Sequence, residues 1–283
     1  MTQSPLIEID ELLKIYQQAD VLIFDVSSGA QAKANYEAEH LAGAFFVDLN
    51  TQLADIKSDL SLGGRHPLPA AENFAKTLAS LGISPDKHLV LYDDKNGSNA
   101  AARFWWMLKA AGHEKVQVLN GGFSEAKRMG FPLSGKTESI QAVSGPYPLK
   151  QWNLPTVTIE EVERLVQNPN YRVVDVRDKD RYAGKTEPID LIAGHIPGAI
   201  NIPFTENLDQ NGLFLKPTEL KQKYESLFDG IKPENMIVHC GSGVTACHTL
   251  LALASAGMQI PSLYVGSWSE WSRNNKPIGK ANI

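Results

Sequence analysis

The chain of 283 residues has only two cysteines, Cys240 and Cys247, which excludes a disulfide framework. Its net charge is −5 and it has no block of basic residues, so we expect no binding to nucleic acid. No stretch approaches the roughly 18 consecutive apolar residues of a membrane-spanning helix. The first residues lack the basic and apolar regions of a signal peptide. We therefore expect a cytoplasmic protein without a membrane partner.

The segment around Cys240 has the pattern of a strand, a tight loop and a helix. An apolar run at residues 236–238 precedes the cysteine, glycines flank Ser242, and residues 246–256 read as a buried helix. The N–H groups of such a loop, with the first helical turn behind it, form a cradle for an anion. A thiol that faces this cradle is favoured as the reactive thiolate. We therefore predict that Cys240 is a catalytic nucleophile rather than a small buried side chain. The residues expected around the substrate are Gly241, Ser242, Gly243, Val244 and Thr245.

The second cysteine, Cys247, lies seven residues further on, inside the predicted helix. We interpret it as part of the helix core rather than as a redox partner of Cys240. Two cysteines at this spacing, without a nearby cluster of histidines, do not form a zinc site. The sequence therefore predicts no metal centre.

Two halves of the chain repeat one another. The segments around Asp25 and Asp175, and around His40 and His195, occur in the same order with offsets of 150 and 155 residues. Short apolar runs alternate with amphipathic stretches in each half, which predicts an α/β fold. We expect two tandem domains, each a mainly parallel sheet with helices on both faces. The expected ranges are residues 1–133 and 156–283, joined by a linker at 134–155.

The element predictions follow from these periodicities. Strands are predicted at residues 21–26, 45–47, 89–92, 116–119, 172–176, 199–202, 235–239 and 262–265. Helices are predicted at residues 7–18, 70–81, 99–111, 123–129, 159–167, 217–227, 246–256 and 268–273. Thr158 with Glu161, and Ser267 with Glu270, fit capping boxes.

The repeat places Asp93 of the first half at the position of Cys240. A carboxylate cannot carry sulfur or attack as a thiolate does. We therefore expect the first domain to be non-catalytic. His40 and His195 occupy equivalent places in both halves, so we assign them to the fold rather than to catalysis.

The loop Cys-Gly-Ser-Gly-Val-Thr-Ala at residues 240–246 resembles that of the two-domain sulfurtransferases of the rhodanese superfamily. Its Gly-Ser-Gly form is similar to the 3-mercaptopyruvate members, since thiosulfate members typically carry Arg and Lys after the cysteine. Further segments that carry the resemblance are residues 104–107, 119–123, 175–177, 194–199, 201–204 and 266–271. The resemblance covers nearly the whole chain.

This resemblance implies a double displacement. Cys240 takes sulfur from 3-mercaptopyruvate as a persulfide and releases pyruvate, and cyanide, a small thiol or thioredoxin then accepts the sulfur. Ser242, Thr245 and the loop N–H groups supply hydrogen bonds to the developing negative charge. No metal or organic cofactor is implied, because the cysteine sulfur is the carrier.

The resemblance also implies a substrate arginine at Arg181, whose guanidinium suits a carboxylate. The alternative is a solvated surface arginine. The mercaptopyruvate enzymes usually have a second arginine nine residues later, where this chain has Asp190. Three alternatives follow: weaker binding of the carboxylate, substitution by another residue such as Lys185, or a different preferred donor. Arg177 is interpreted as an ion-pair partner.

His66 stands where the mercaptopyruvate enzymes carry a histidine that relays protons with the loop serine. An imidazole is suited to this role near neutral pH. The alternative is a histidine in a surface loop, and the sequence leaves both open.

The sequence disfavours three other functions. A thiosulfate sulfurtransferase is disfavoured because the loop has no Arg or Lys to stabilise departing sulfite. A cysteine phosphatase is disfavoured because no arginine occurs from Cys240 to Gly257 to hold the phosphoryl group. A non-catalytic persulfide carrier or binding module would not need the intact glycine loop around Cys240.

Overall fold

A computed structural model describes residues 3–136 and 138–280 of the chain. These residues form two compact units. The first contains the chain up to Ala54, Pro69–Asn153 and Gln210–Leu213. The second contains Asp55–Leu68, Leu154–Asp209 and the chain from Phe214 onward. Each unit thus includes a segment that the sequence repeat assigns to the other half.

The first unit is built on a parallel sheet. Its strands are β1 (Leu6–Ile7), β2 (Val21–Asp25), β3 (His40–Leu41), β4 (Ala44–Phe46), β5 (His88–Tyr92), β6 (Val116–Leu119) and β7 (Leu133–Ser134). Its helices are α1 (Ile9–Ile15), α2 (Ala32–Ala38), α3 (Leu49–Gln52), α4 (Ala71–Ser80), α5 (Ala101–Ala110) and α6 (Gly122–Arg128). Five strands pair in parallel in the order β1-β6-β5-β2-β4, and β3 pairs antiparallel with β7.

The second unit repeats this topology. Its strands are β8 (Thr156–Val157), β9 (Arg172–Asp175), β10 (Ile200–Asn201), β11 (Met236–His239) and β12 (Ser262–Tyr264). Its helices are α7 (Ile159–Leu165), α8 (Lys179–Ala183), α9 (Pro217–Phe228), α10 (Ala246–Ser255) and α11 (Ser267–Trp271), with short 3-10 helices at Phe204–Asn207 and Pro233–Asn235. The parallel order is β8-β12-β11-β9-β10, which matches the first sheet strand for strand. The predicted duplication and fold class are therefore confirmed.

The predicted strands and helices are present with shifts of one or two residues at most ends. The strand predicted at 45–47 lies at Ala44–Phe46, and the helix predicted at 7–18 is shorter, at Ile9–Ile15. Sequence periodicity missed short elements such as β1, α2 and α8, because a few residues carry too little pattern. No helix within residues 3–136 and 138–280 is long and apolar enough to cross a membrane.

One of the two predicted capping boxes is present. Thr158 accepts from the N–H of Glu161, and the Glu161 side chain accepts from the N–H of Thr158. The prediction for Ser267 is wrong. Helix α11 begins at Ser267 itself, at a φ of 53°, and its hydroxyl donates to the carbonyl of Tyr264.

A stacked tyrosine and histidine recur in both units. The rings of Tyr36 and His40 lie 4.0 Å apart, as do those of Tyr182 and His195. The tyrosine hydroxyl donates to the carbonyl of Ala44 in the first unit and to its counterpart, Ala199, in the second. This shared packing supports the assignment of both histidines to the fold.

The segment expected to be a linker packs against the first unit. The rings of Trp152 and Phe74 lie 5.1 Å apart, and the N–H of Tyr147 donates to the carbonyl of Ala75. Tyr147 and Trp152 of this segment are therefore packed against the first unit rather than free in solution.

Candidate active site

Cys240 follows β11, which lies between β9 and β12 in the second sheet. The cysteine is 1% exposed. Its N–H donates to the hydroxyl of Ser267 at 3.2 Å, and its carbonyl accepts from the N–H of Trp268 at 3.0 Å. The next carbonyl, of Gly241, accepts from the N–H of Ser269 at 2.8 Å. Helix α11 therefore fixes the backbone from which the thiol projects.

The loop after Cys240 requires glycine at Gly243. This residue has a φ of 72°, and a Cβ atom there would lie 2.5 Å from the carbonyl oxygen of Val265. Both the left-handed backbone and the close approach exclude a side chain. The loop thus turns tightly between Cys240 and the start of α10, as the sequence predicted. Val244 is buried, and Thr245 is the N-cap residue of α10.

The structure brings Ser242 and His66 together. The Ser242 hydroxyl oxygen lies 2.8 Å from Nδ1 of His66, and the serine is 5% exposed. The two residues are 176 positions apart in the chain. His66 therefore contacts the loop serine, as expected if the two act together.

The segment that carries His66 is fixed against α11 by its backbone. The N–H of Gly63 donates to the Glu270 carboxylate at 2.9 Å, and the N–H of Arg65 donates to the Ser269 hydroxyl at 3.0 Å. A Cβ atom at Gly64 would lie 2.4 Å from the Gly266 carbonyl oxygen, so this contact requires glycine. Arg65 and His66 consequently belong to the second unit.

Arg181, on α8, is held by a carboxylate. Its Nε lies 3.2 Å from each oxygen of Glu187, and its Nη2 lies 2.7 Å from Oε1 of the same residue. Burial opposes the charge on Glu187, but these hydrogen bonds outweigh it and hold its pKa below the usual value. Arg181 is mostly buried and is not the solvated surface arginine of the alternative interpretation.

Asp190 occupies the position where the resemblance implied a second arginine. Its side chain is fully buried and accepts from three guanidinium groups, those of Arg65 at 2.9 Å, Arg181 at 3.3 Å and Arg273 at 3.3 Å. Lys185, the suggested substitute, is 43% exposed and pairs with Asp180 at 3.4 Å. Sequence reasoning missed Arg65 and Arg273, which lie in segments far from residue 190. The glycine pair before Arg65 was the available signal.

A buried ion pair lies behind the cysteine strand. Arg177 Nη2 is 2.6 Å from Asp175 Oδ2, and its guanidinium stacks 4.8 Å from the ring of Trp268. Burial opposes the charge of Arg177, but Asp175 and Glu187 outweigh that effect and raise its pKa. The prediction that Arg177 is an ion-pair partner is confirmed.

Cys247 is buried in α10, and its thiol donates to the carbonyl of Gly243 at 3.3 Å. Its interpretation as a core residue is confirmed. Within residues 3–136 and 138–280, no group of three or more His, Cys, Asp or Glu side chains is placed to hold a metal ion.

Asp93 is the counterpart of Cys240 in the first unit. Its carbonyl accepts from the N–H of Phe123 at 3.0 Å, as that of Cys240 does from Trp268. Its buried carboxylate accepts four backbone N–H groups, from Lys95, Gly97, Asn99 and Ala101, at 2.8 to 3.1 Å. Burial raises the pKa of Asp93 to about 6.

Comparisons with known proteins agree with this architecture. The rhodanese-like domain family matches residues 8–129 and 158–274. A probable 3-mercaptopyruvate sulfurtransferase of Pseudomonas aeruginosa is 36% identical over 280 residues, 96% of each chain. A thiosulfate sulfurtransferase of Rattus norvegicus is 35% identical over 251 residues, 87% of this chain and 82% of its own. A solved 3-mercaptopyruvate sulfotransferase structure from Escherichia coli has a TM-score of 0.78 at 30% identity, covering 95% of this chain and 100% of its own.

The chain therefore belongs to the rhodanese-like family, with two domains of this type. It is a sulfurtransferase by class, and a small-molecule sulfur donor follows from that class. The two kinds of relative differ in donor and are almost equally similar, so sequence identity does not choose between the donors.

Proposed function

We propose that the enzyme transfers sulfur from 3-mercaptopyruvate to a thiophilic acceptor through a persulfide on Cys240. The observation that carries this proposal is the Ser242–His66 pair, at 2.8 Å, two residues from a buried cysteine in a loop without charged side chains. A hydroxyl and an imidazole can move a proton, which mercaptopyruvate chemistry needs. Arg181 is the candidate for holding the carboxylate of the donor.

The first half-reaction balances without a cofactor. The Cys240 thiolate attacks the thiol sulfur of the donor, so that an S–S bond forms and the donor's C–S bond breaks. The electron pair of that bond passes to the three-carbon fragment as an enolate. The thiol proton transfers to its carbon, directly or through Ser242 and His66, and gives pyruvate. Cys240 is left as an anionic persulfide, next to the N–H groups of the loop.

In the second half-reaction an acceptor takes the outer sulfur and restores the thiolate. Cyanide would leave as thiocyanate. A small thiol or thioredoxin would leave as a persulfide, and a second thiol would then attack that persulfide to form a disulfide and release hydrogen sulfide. Asp93 replaces the nucleophile in the other unit, so we propose that the first domain is non-catalytic.

Thiosulfate is the second candidate donor. Its reaction with Cys240 releases sulfite, a dianion that fixed cations stabilise. The loop has none, but Arg65 and Arg181 bring guanidinium groups to Gly241, within 3.0 and 3.4 Å of the place of a Cβ atom. The loop sequence alone argues against thiosulfate, but these two arginines could stabilise departing sulfite and therefore keep thiosulfate as a candidate donor.

Intact-mass spectrometry after incubation with 3-mercaptopyruvate tests the proposal, with pyruvate measured in the same sample. We expect the wild type to gain one sulfur atom and to release pyruvate. Cys240→Ser should gain none, whereas the matched control Cys247→Ser, which alters a buried helix cysteine, should gain it.

An adduct from thiosulfate and none from mercaptopyruvate would move the proposal to the second donor. No adduct from either donor would contradict a persulfide enzyme. An adduct that neither cyanide nor any thiol removes would instead favour a persulfide carrier.

A further inference from the structure

The three arginines around Asp190 are not equivalent with respect to the catalytic loop. The three atoms nearest to a Cβ built on Gly241 are Nη2 of Arg65 at 3.0 Å, Nη2 of Arg181 at 3.4 Å and Oδ2 of Asp190 at 3.5 Å. Gly241 directly follows Cys240. Two guanidinium groups therefore converge beside Cys240, and one of them belongs to Arg65, the neighbour of His66, which the sequence did not single out.

Asp190 fixes the side chain of Arg65 by a two-point contact. Nε of Arg65 lies 2.9 Å from Oδ1 and Nη2 lies 3.3 Å from Oδ2. A guanidinium has five N–H donors in a rigid plane, so this contact leaves donors for a second anion. The carboxylate thus holds Arg65 in one orientation rather than neutralising it completely.

The charges of the cluster are balanced in the reactive enzyme. Four guanidinium groups, of Arg65, Arg177, Arg181 and Arg273, share the carboxylates of Asp175, Glu187 and Asp190. The Cys240 thiolate that the proposed function requires interacts with Arg177 and supplies the fourth negative charge. The case for a ligand at Arg65 therefore depends on the position of its guanidinium and on its N–H donors, not on a net charge.

Arg273 is held away from the loop. Its Nη1 donates to the carbonyl of Ser269 at 2.7 Å as well as to Asp190. Arg65, by contrast, is fixed to α11 by its backbone N–H, and its guanidinium lies beside Gly241. Of the two arginines that sequence reasoning missed, Arg65 is the one placed for a ligand next to Cys240.

We propose that Arg65 is a specificity-determining residue that binds the carboxylate of the sulfur donor together with Arg181. Asp190 then positions Arg65, so the clamp has two arginines although residue 190 is not one of them. This inference rests on the proposed function, because it concerns how the same site recognises its donor.

The test compares 3-mercaptopyruvate with mercaptoacetone, in which a methyl group replaces the carboxylate. Steady-state kcat and KM are measured for both donors with wild type and Arg65→Gln. A lost hydrogen bond to a charged group predicts a fall of about 10- to 100-fold in kcat/KM for mercaptopyruvate, mostly through KM. For mercaptoacetone kcat/KM should change by less than about threefold, since it has no carboxylate to lose contact with.

Three further variants separate recognition from structure. Arg65→Lys keeps a charge but not the planar fork, so its preference for mercaptopyruvate should fall by less than that of Arg65→Gln. Arg273→Gln removes another guanidinium from Asp190 and should leave the donor preference unchanged. Arg164→Gln, on the exposed side of α7, controls for the loss of one positive charge.

Equal losses with both donors, or no change in the ratio, would overturn the role of Arg65 and leave the proposed function intact. If Arg65→Gln does not fold, the Arg65→Lys ratio decides in the same way. Failure of the wild type to use mercaptopyruvate would instead reject the proposed function, and the wild-type measurement alone decides this.

Discussion

The loops that follow β5 and β11 start at equivalent positions in two matching sheets but differ in their first residue, a carboxylate in one and a thiol in the other. In the first unit the loop closes on its own carboxylate, because Asp93 accepts the N–H groups of four loop residues. In the second unit the equivalent residue is a cysteine. This loop geometry suits an anion. The residue at the first position determines whether the anion is the loop's own carboxylate, as with Asp93, or one formed by reaction or binding at Cys240.

The loops also differ in length and in their second polar group. Helix α5 begins at Ala101, eight residues after Asp93, whereas α10 begins at Ala246, six residues after Cys240. Two residues after the first position the first unit has Lys95 and the second has Ser242, which contacts His66. The shorter loop therefore combines a thiol with a hydroxyl that contacts an imidazole.

Exchanging Asp93 and Cys240, the first residues of the two loops, should have the largest effect on activity. Cys240→Asp should lower sulfur transfer by at least about 10³-fold, because a carboxylate cannot form a persulfide. The double variant Cys240→Asp with Asp93→Cys should stay inactive, since the first loop has Lys95 at the position where the second loop has Ser242 in contact with His66. Thiocyanate formation measures both. Activity in the double variant would show that the loops are interchangeable.

The buried carboxylate should give the first unit a pH dependence of its own. The pKa of Asp93 in the folded protein is about 6, above its unfolded value. The proton is thus bound more tightly in the folded state, and this stabilisation is full below the unfolded pKa and is lost as pH rises through the folded one. The free energy of unfolding, relative to Asp93→Asn, should fall by about 2 kcal/mol between pH 4 and pH 7.

Urea unfolding at each pH, with the wild type and Asp93→Asn side by side, measures this difference. Asp20→Asn, at an exposed carboxylate of the same unit, is the matched control and should follow the wild type. A constant difference between the wild type and Asp93→Asn across the range would mean that the four N–H groups offset the burial of the carboxylate.

Removing the Ser242 hydroxyl should have a smaller effect than the two changes above. Ser242→Ala should lower kcat by about 10- to 100-fold if proton transfer through the hydroxyl contributes. His66→Asn should cause a similar loss, and the double variant should lose little more, because the two residues act as one unit. Stopped-flow release of pyruvate measures this step, with Ser255→Ala as a remote serine control. Independent, additive losses would contradict a joint role.

Much of this arrangement could be predicted from local sequence. The glycines around Ser242 and the cysteine after an apolar strand predict the loop, and repeated segments predict the matching sheets. The contacts of Asp190 could not be predicted, because its partner Arg65 lies 125 residues away. An arginine after two glycines has the composition of an exposed turn. The packing of Gly64 against Gly266 and the hydrogen bonds from the N–H groups of Gly63 and Arg65 show that this turn is held against α11.

The assignment of residues 55–68 to a compact unit was beyond sequence reasoning for a related reason. The repeat places this segment in the first half, and nothing in its composition indicates which core it joins. Its contacts are backbone hydrogen bonds, a glycine approach and the polar side-chain contacts of Arg65 and His66, none of which leaves a hydrophobic periodicity to detect.

The attachment of residues 61–66 to α11 has a consequence for the history of the gene. If Asp93 makes the first half non-catalytic, as proposed, that half would be expected to be dispensable. It nevertheless encodes Arg65 and His66, which lie at the Cys240 loop of the other half. Under the proposed function, deleting the half that carries Asp93 would also remove two residues from the active site, so selection should retain it.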